Sequence, residues 1–344
     1  MPGARIQRRK RIVLAGTAVG VLSVLLVVAA CMVGSAGFSA ERTLSALGDI
    51  LTGRAGADPL AYNIIAAVRL PRALLAFFTG AALAVSGACM QGVFKNPMAD
   101  PAILGVSAGA GLGATVAMVF GAGAGGLLGA VSLPLAAFAG SLATVMLAYQ
   151  LSQVRGRTTV LSLLLAGTAL SSFLSAAMNG LMAMNHDKLE GIISWLMGSF
   201  GGASWEKLGW CLPPVIIGCA VCLVFARDLN AMLMGDEEAR SLGVHVPRVR
   251  LIVVAASTLA VSAAVAACGI IGFVGLMVPH ALRFIVGPDH RVLIPFAFAG
   301  GGLYLLVMDL AARTVIAPME LPVGVLTALV GGPFFLYLLR RSGK

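Results

Sequence analysis

RLPRALLAFFTGAALAVSGACMQGVFKNPMADP, residues 69–101, opens on Arg69 and Arg72, runs without charge through 73–94, and ends at Lys95 among the prolines Pro97 and Pro101. A helix needs about 20 apolar residues to cross the hydrocarbon layer, so 73–94 reads as a membrane span. Pro97 and Pro101 lack backbone donors and bias the residues before them to extended backbone, so the helix cannot simply continue beyond them. Comparable intervals free of Asp, Glu, Lys and Arg lie at 12–40, 101–154, 158–186, 208–226, 251–282, 292–308 and 321–339. The interval 101–154 is too long for one crossing and breaks at GAGAGG, 121–126; the interval 251–282 divides at CGIIG, 268–272. The expected fold is an all-α polytopic membrane protein with ten transmembrane helices. The period-two alternation of a membrane barrel is absent.

Composition agrees, with 59% hydrophobic and only 11% charged residues against roughly 25% in soluble domains. Ten spans put both termini on one side, and both are basic, RIQRRKR at 5–11 and RRSGK at 340–344. If that side is the cytoplasm, the positive-inside rule is satisfied. The two termini, Lys95, RGR at 155–157, the arginines of 227–250, and Arg283 with Arg291 hold 17 of the 24 Lys and Arg, leaving Arg42, Arg54, Arg69, Arg72, Lys188, Lys207 and Arg313 outside. The first apolar segment, 12 to about 33, exceeds the roughly 7 to 15 residues of a signal-peptide core and is expected to stay as span one. The formal charge of +10 fits loops beside anionic lipid and requires no nucleic acid.

The chain reads as a single transmembrane domain over 1–344, with a cytoplasmic tail at 1–11 and a cytoplasmic loop at 228–250. No G-x-x-x-x-G-K-[ST] motif occurs, so ATP would have to be handled by a partner. GVSAGAGLGA, 105–114, suits close helix packing through small residues, because no strand precedes it. LAVSGA at 83–88 recurs as LAVSAA at 259–264, as an inverted repeat would produce, and as chance would in a composition this rich in Ala, Leu and Val. The six cysteines lie in or beside apolar spans, and the lone C-x-x-C of Cys219 and Cys222 suits packing better than metal or redox chemistry. His186, His245, His280 and His290 share no helix face at ligand spacing, so no metal site is expected.

Three further segments are not explained by hydrophobicity alone. ISWLMGSFGGASW, 193–205, suits a short half-buried helix on the outer side. GFVGLMVPHALRFIVGPDHRVLIP covers 272–295. GDEEARSLGV, 235–244, begins at Gly235, where the chain can turn, and continues with Asp236, Glu237 and Glu238, which favour the positive end of a helix dipole; Gly243 then stops the helix. Such a helix, with Ala239 and Leu242 as apolar members, is too short to stand alone and needs a groove. The plain alternative is a solvated loop between spans six and seven.

At these residues the chain resembles a known family. RLPR, SGACMQGVFKNPMADPAILGVSAGAG, WLMGSFGGASW, GDEEARSLGV, FVGLMVPH, GPDHRVLIP and ELPVGVLTALVGGPFF, in this order over about residues 60–340, resemble the FecCD-type permease subunits of type II ATP-binding-cassette importers for iron-siderophores, haem and cobalamin. The resemblance implies a bacterial inner-membrane protein that forms a homodimer and works by alternating access. Two cytoplasmic ATPase subunits, which bind ATP and Mg, would drive it, and a periplasmic or lipid-anchored binding protein would deliver the substrate. It assigns Gly235, Asp236, Glu237, Glu238, Ala239, Arg240, Leu242 and Gly243 to a coupling helix. It assigns Arg69, Arg72 and Arg313 to docking of the binding protein; otherwise Arg69 and Arg72 read as snorkelling to lipid and Arg313 as an i,i+4 partner of Asp309. It places a cytoplasmic gate at Asn96, Pro97 and Met98 with Thr159, Val160 and Leu161; Met98 stands where Leu is more usual, and Val160 and Leu161 where polar residues can occur. Two other classes compete: an intramembrane enzyme, for which Asp309 is the one deep carboxylate, and a stand-alone transporter, which would need buried acids along its path.

Overall fold

Helices form where the charge-free intervals lie. The computed structural model describes residues 2–34, 37–54, 58–121, 127–154 and 157–342. In chain order the helices are α1 (Pro2–Met32), α2 (Ala40–Thr52), α3 (Pro59–Ile64), α4 (Leu70–Val93), α5 (Val106–Phe120), α6 (Leu127–Leu151), α7 (Val160–Met184), α8 (Leu189–Leu196), α9 (Trp205–Val224), α10 (Ala226–Met234), α11 (Asp236–Ser241), α12 (Val246–Cys268), α13 (Val274–Val286), α14 (His290–Thr314) and α15 (Val323–Ser342). A π-turn, Ile65–Arg69, joins α3 to α4, and a 3-10 turn, Pro101–Leu104, precedes α5. Gln153–Val154 and Arg157–Thr158 pair as a minimal antiparallel ribbon before α7. Most of the GAGAGG break and two residues of RGR, 155 and 156, lie outside the described residues.

Among the described residues, seven helical segments are long and apolar enough to cross a membrane; they lie in α1, Pro59–Val93, α6, α7, α9, α12 and α14. The other three expected spans are shorter apolar helices: α5, α13 and the Val323–Leu338 part of α15. With 13 residues, α13 rises only about 20 Å, less than the hydrocarbon thickness. Of the ten helices expected to span, the described residues thus show seven of spanning length and three shorter. The physical reason is that an apolar interval records burial from water, not where a helix begins. The residues expected as a tail, 1–11, are helical from Pro2 and continuous with α1.

Helix α4 is the axis of the bundle, buried along most of its length against α9, α12, α13 and α14. Small residues permit the approach. A Cβ on Gly80 would run into the Gly301 carbonyl of α14, and one on Gly87 into the Gly275 backbone of α13. Gly109 of α5 meets Gly140 and Thr144 of α6 in the same way, so the glycines of 105–114 serve helix packing. The two LAVS segments lie on α4 and α12, which are joined where the Ser86 hydroxyl donates to the Ser257 carbonyl at 3.2 Å. The six cysteines are free and buried; Cys222 Sγ lies 3.4 Å from Ser257 Oγ on the same seam.

The break between α12 and α13 is filled by the segment after α8. Gly269 and Phe273 have positive φ, and the Ser199 N–H donates to the Cys268 carbonyl at 2.8 Å, satisfying an acceptor that the end of α12 leaves open. The short helix expected at 193–205 thus begins earlier, at Leu189, and its successor loop plugs the break.

The glycine contact makes a direct prediction. Gly80→Ala should overpack the α4 to α14 seam and destabilise the protein by about 1–3 kcal/mol. Gly180→Ala, on α7 with nothing within 4 Å of the added Cβ, should be neutral or mildly stabilising. Thermal unfolding of the detergent-purified protein compares them, and equal midpoints would mean the seam is not tightly packed.

Candidate functional sites at the two ends of helix α4

At the C-terminal end of α4 lies the acidic stretch, and it is a helix rather than a loop. Gly235, at φ +147°, turns the chain out of α10 into α11, and a Cβ there would strike the Glu238 carboxylate. Asp236, Glu237 and Glu238 occupy the first turn, beside the unpaired N–H groups and positive dipole end. At the other end the N–H of Gly243, at φ +86°, donates to the Arg240 carbonyl and that of Val244 to the Ala239 carbonyl, both at 2.9 Å. This pair of bonds is a Schellman stop. The helix is anchored from beneath: Ala239 is fully buried, and Asp236 pairs with Lys95 at 2.7 Å and Arg250 at 3.0 Å. Partial burial pushes the Asp236 carboxyl up, but the hydrogen bonds from Lys95 and Arg250 outweigh it and hold the group below the ordinary carboxylate range. Glu237, Glu238, Arg240 and Leu242 remain exposed, with Met234 of α10 beside them in the chain.

Lys95 links this helix to the first half of the expected gate. Lys95 takes a left-handed conformation, φ 51°, as the chain leaves α4, and the Asn96 side chain accepts the Met98 N–H at 2.9 Å. Asn96 and Pro97 are exposed and Met98 half-buried. The second half has a separate local role. Thr159 caps α7 in a capping box with Ser162, whose hydroxyl donates to the Ser152 carbonyl at 2.8 Å. Val160 is half-buried and Leu161 is exposed.

At the N-terminal end of α4 the three arginines are placed differently from an open docking patch. Arg69 and Arg72 are only 5% and 7% exposed. Arg72 Nε and Nη2 donate to Asp309 Oδ1 at 3.1 and 2.9 Å, while Nη1 and Nη2 donate to Glu320 Oε1 and Oε2 at 3.1 and 2.9 Å. Asp309 is 0% exposed, whereas the Glu320 side chain is 44% exposed. Arg313, one turn along α14, completes the i,i+4 pair with Asp309 at 3.3 Å. Arg313 also donates to the Val33 and Ala30 carbonyls, and Arg69 to those of Cys31 and Met32. These are the last carbonyls of α1, which has no basic residue in its own last turn. Two arginines from elsewhere thus supply its C-terminal donors. All three line one cavity of about 340 Å³ together with Glu320 and Pro318.

Sequence reasoning missed the π-turn and its partner. Pro71 has no N–H to offer the helix, and at this point the Leu70 N–H bonds to the Ile65 carbonyl, one residue further back than in an α-helix. The Ala66 carbonyl instead accepts from the Trp205 indole at 2.7 Å. Pro71 within RLPR was a signal for such a disturbance; nothing local pointed to Trp205.

The contrast between the two carboxylates is testable. Asp309→Asn should destabilise the protein by about 3–5 kcal/mol, because it leaves buried guanidinium charge uncompensated. Glu320→Gln should change stability by at most about 1 kcal/mol, being half-open to solvent. Denaturant unfolding measures both, and comparable losses would show that the cluster has no buried centre.

The comparisons with known proteins agree with this architecture. Residues 21–341 match the FecCD transport family. The Hemin transport system permease protein HmuU of Yersinia pestis is 45% identical over 276 residues, covering 80% of this chain and 82% of that protein. The Cobalamin import system permease protein BtuC of Halobacterium salinarum is 43% identical over 285 residues, covering 83% and 75%. A solved structure assigned to the metal-chelate type of ABC transporter, in an inward-facing conformation, superposes with a TM-score of 0.83 at 33% identity, covering 95% of this chain and 99% of that one. With a family match over nearly its whole length, this chain belongs to the FecCD transport family, a family of ABC-transporter permease subunits.

Proposed function

We propose that the chain is the transmembrane subunit of an ABC importer that moves an iron chelate, siderophore or haem, or cobalamin across the inner membrane by alternating access. The observation that carries this reading is α11: a short helix anchored from beneath through Asp236 and Ala239, with Glu237, Glu238, Arg240 and Leu242 facing outward. A helix too short to persist alone, held rigidly and presenting a mixed charged and apolar face, suits a groove on another protein. The partner here is a cytoplasmic ATPase that binds ATP and Mg, two copies serving a homodimer of this chain. ATP hydrolysis belongs to that subunit; in this chain Asp309 is buried and paired with two arginines, Arg72 and Arg313.

In this reading α5, α13 and α15 complete ten crossings with the seven longer helices, both termini are cytoplasmic, and α11 lies on the cytoplasmic face. The gate lies at Asn96, Pro97 and Met98 with Thr159, Val160 and Leu161. A periplasmic or lipid-anchored binding protein docks on the opposite face, around the cavity that Arg69, Arg72 and Arg313 shape. Because those arginines hold α1 and α14 together, their part in docking is to position the rim rather than to offer free charge. The surrounding lipid takes the exposed apolar faces of helices such as α1 and α7.

Two experiments test the assignment. Reversing the exposed charges, Glu237→Arg with Arg240→Glu, should abolish co-purification of the ATPase while the permease stays folded and inserted; unchanged association would remove α11 as the coupling surface. Orientation is read by labelling. Ser45→Cys should react with an impermeant thiol reagent from outside and Ser241→Cys only from the cytoplasm, against native cysteines that are all buried. The reverse pattern would invert the topology.

A further inference from the structure

GPDHRVLIP, 287–295, has no part in the reading above, yet it meets the coupling segment. Asp289 caps α14: its Oδ1 accepts the Arg291 N–H at 3.0 Å, and its Oδ2 pairs with the Arg291 guanidinium at 3.1 Å. Asn230, in the middle of α10, is held by this cap. Its Nδ2 donates to Asp289 Oδ1 at 2.6 Å, and its Oδ1 accepts from the His290 backbone N–H at 2.9 Å and lies 2.8 Å from His290 Nδ1. The amide has only one orientation here, because a carboxylate can only accept and a backbone N–H can only donate. The proton between Asn230 and His290 therefore sits on Nδ1. The hydrogen bonds of Arg291 foremost, with help from Asn230, hold the Asp289 carboxyl down to about 2, so it is an acceptor throughout the physiological range.

The joint also reaches α4. His290 is fully buried, and a Cβ on Gly92 of α4 would stand 2.7 Å from its Nε2 and 3.5 Å from Leu229, the buried neighbour of Asn230. Three helices thus meet around this joint: α10, which leads through Gly235 into α11, with α14 bonded to the Asn230 amide and α4 packed against His290 and Leu229. The latter two are packed through Gly80 and Gly301 and tied at their far ends by Arg72 and Asp309.

We propose that Asn230, gripped by Asp289 and His290, is the positioning residue that passes movement of α11 to α4 and α14 as a pair. The proposal rests on the coupling reading of α11. The other tie from α11 to the end of α4, Asp236 to Lys95, is an ion pair with both side chains about a third exposed and so is weakened by solvent. The Asn230 clasp also has a part-exposed acceptor, the Asp289 side chain at 27%, but it spreads over three contacts, one of them to a fully buried ring, and so yields less to a pull.

The test uses the complete transporter, assembled from permease and ATPase, with the exposed Thr314→Cys at the far end of α14 as reporter. A thiol reagent reads its reactivity with and without ATP, Mg and vanadate. In the otherwise unaltered protein the nucleotide should change the labelling rate. Asn230→Asp sets two carboxylates against each other; it should leave the ATPase bound yet shrink the nucleotide-dependent change roughly tenfold. Adding Asp289→Asn to Asn230→Asp removes the like-charge clash and restores a donor facing an acceptor across the joint, at the cost of the bond from the Arg291 N–H to Asp289 Oδ1, and should restore part of the response. Should Asn230→Asp fail to accumulate in the membrane, Asn230→Gln, which keeps both amide groups but misplaces them, replaces it with the same loss expected. A full response in the single variant, no recovery in the double variant, or no nucleotide response at Thr314→Cys without any Asn230 change would overturn the proposal. Loss of ATPase binding in Asn230→Asp would also overturn it, by showing that the clasp only holds α11 in place. The coupling reading fails separately, if the Glu237 and Arg240 charge reversal leaves the ATPase bound.

Discussion

A carboxylate with no exposed surface, Asp309, organises one end of the protein. An ionised group removed from water needs opposite charge and hydrogen bonds at short range, or it loses its charge or destabilises its surroundings. Arg72 and Arg313 meet that need, and each brings a helix with it: Arg72 the start of α4, Arg313 the end of α1 through the Ala30 and Val33 carbonyls. Arg69 adds the Cys31 and Met32 carbonyls from the other side. Without Asp309 the guanidinium groups would repel one another just where α1 ends, and α1 is only lightly buried along its apolar length.

The opposite end solves a similar problem with a different exposure. Asp236 is also gripped by two cations, but it is about a third exposed, and it anchors a helix whose other charges face away. Between the two ends α4 is apolar and glycine-lined, so its contacts with α14 and α13 run backbone to backbone. Interiors packed this tightly do not deform continuously; a displacement at one end is passed on or resisted, not absorbed. A helix charged at both ends and smooth between them therefore behaves as a strut.

Much of this was legible in the sequence. The charge-free intervals located the apolar helices, and the glycines at 235 and 243 with three carboxylates between them delimited α11 to within a residue. Those signals are local: apolar periodicity, positive φ and helix dipoles act within one turn. The roles of the arginines were not legible in the same way. Arg72 and Asp309 are 237 residues apart, and Arg69 lies 38 residues from the Cys31 carbonyl it satisfies, so no spacing announces either contact. Arg313 is the instructive exception, because its pair with Asp309 spans a single helical turn and was visible as an alternative. Asn230 was invisible for a further reason: one amide in a short amphipathic helix carries no pattern until α14 is brought beside it.

The difference in exposure between the two ends bears on how a partner can act on each. At α11 the anchoring charge of Asp236 is tied to Lys95 and Arg250 while Glu237 and Arg240 stand exposed, so a partner of the kind proposed can bind them without competing for Asp236. At the arginine end the charges that hold the helices are the same ones that line the cavity, and only Glu320 is substantially open to solvent. Solvent weakens its bond to Arg72 relative to the dry Asp309 pair, so an acidic group arriving there would displace Glu320 from Arg72 before it disturbed the buried pair. The α11 face can therefore be contacted without loosening its anchor, and the arginine face can exchange a surface contact while its buried pair keeps α4 and α14 joined.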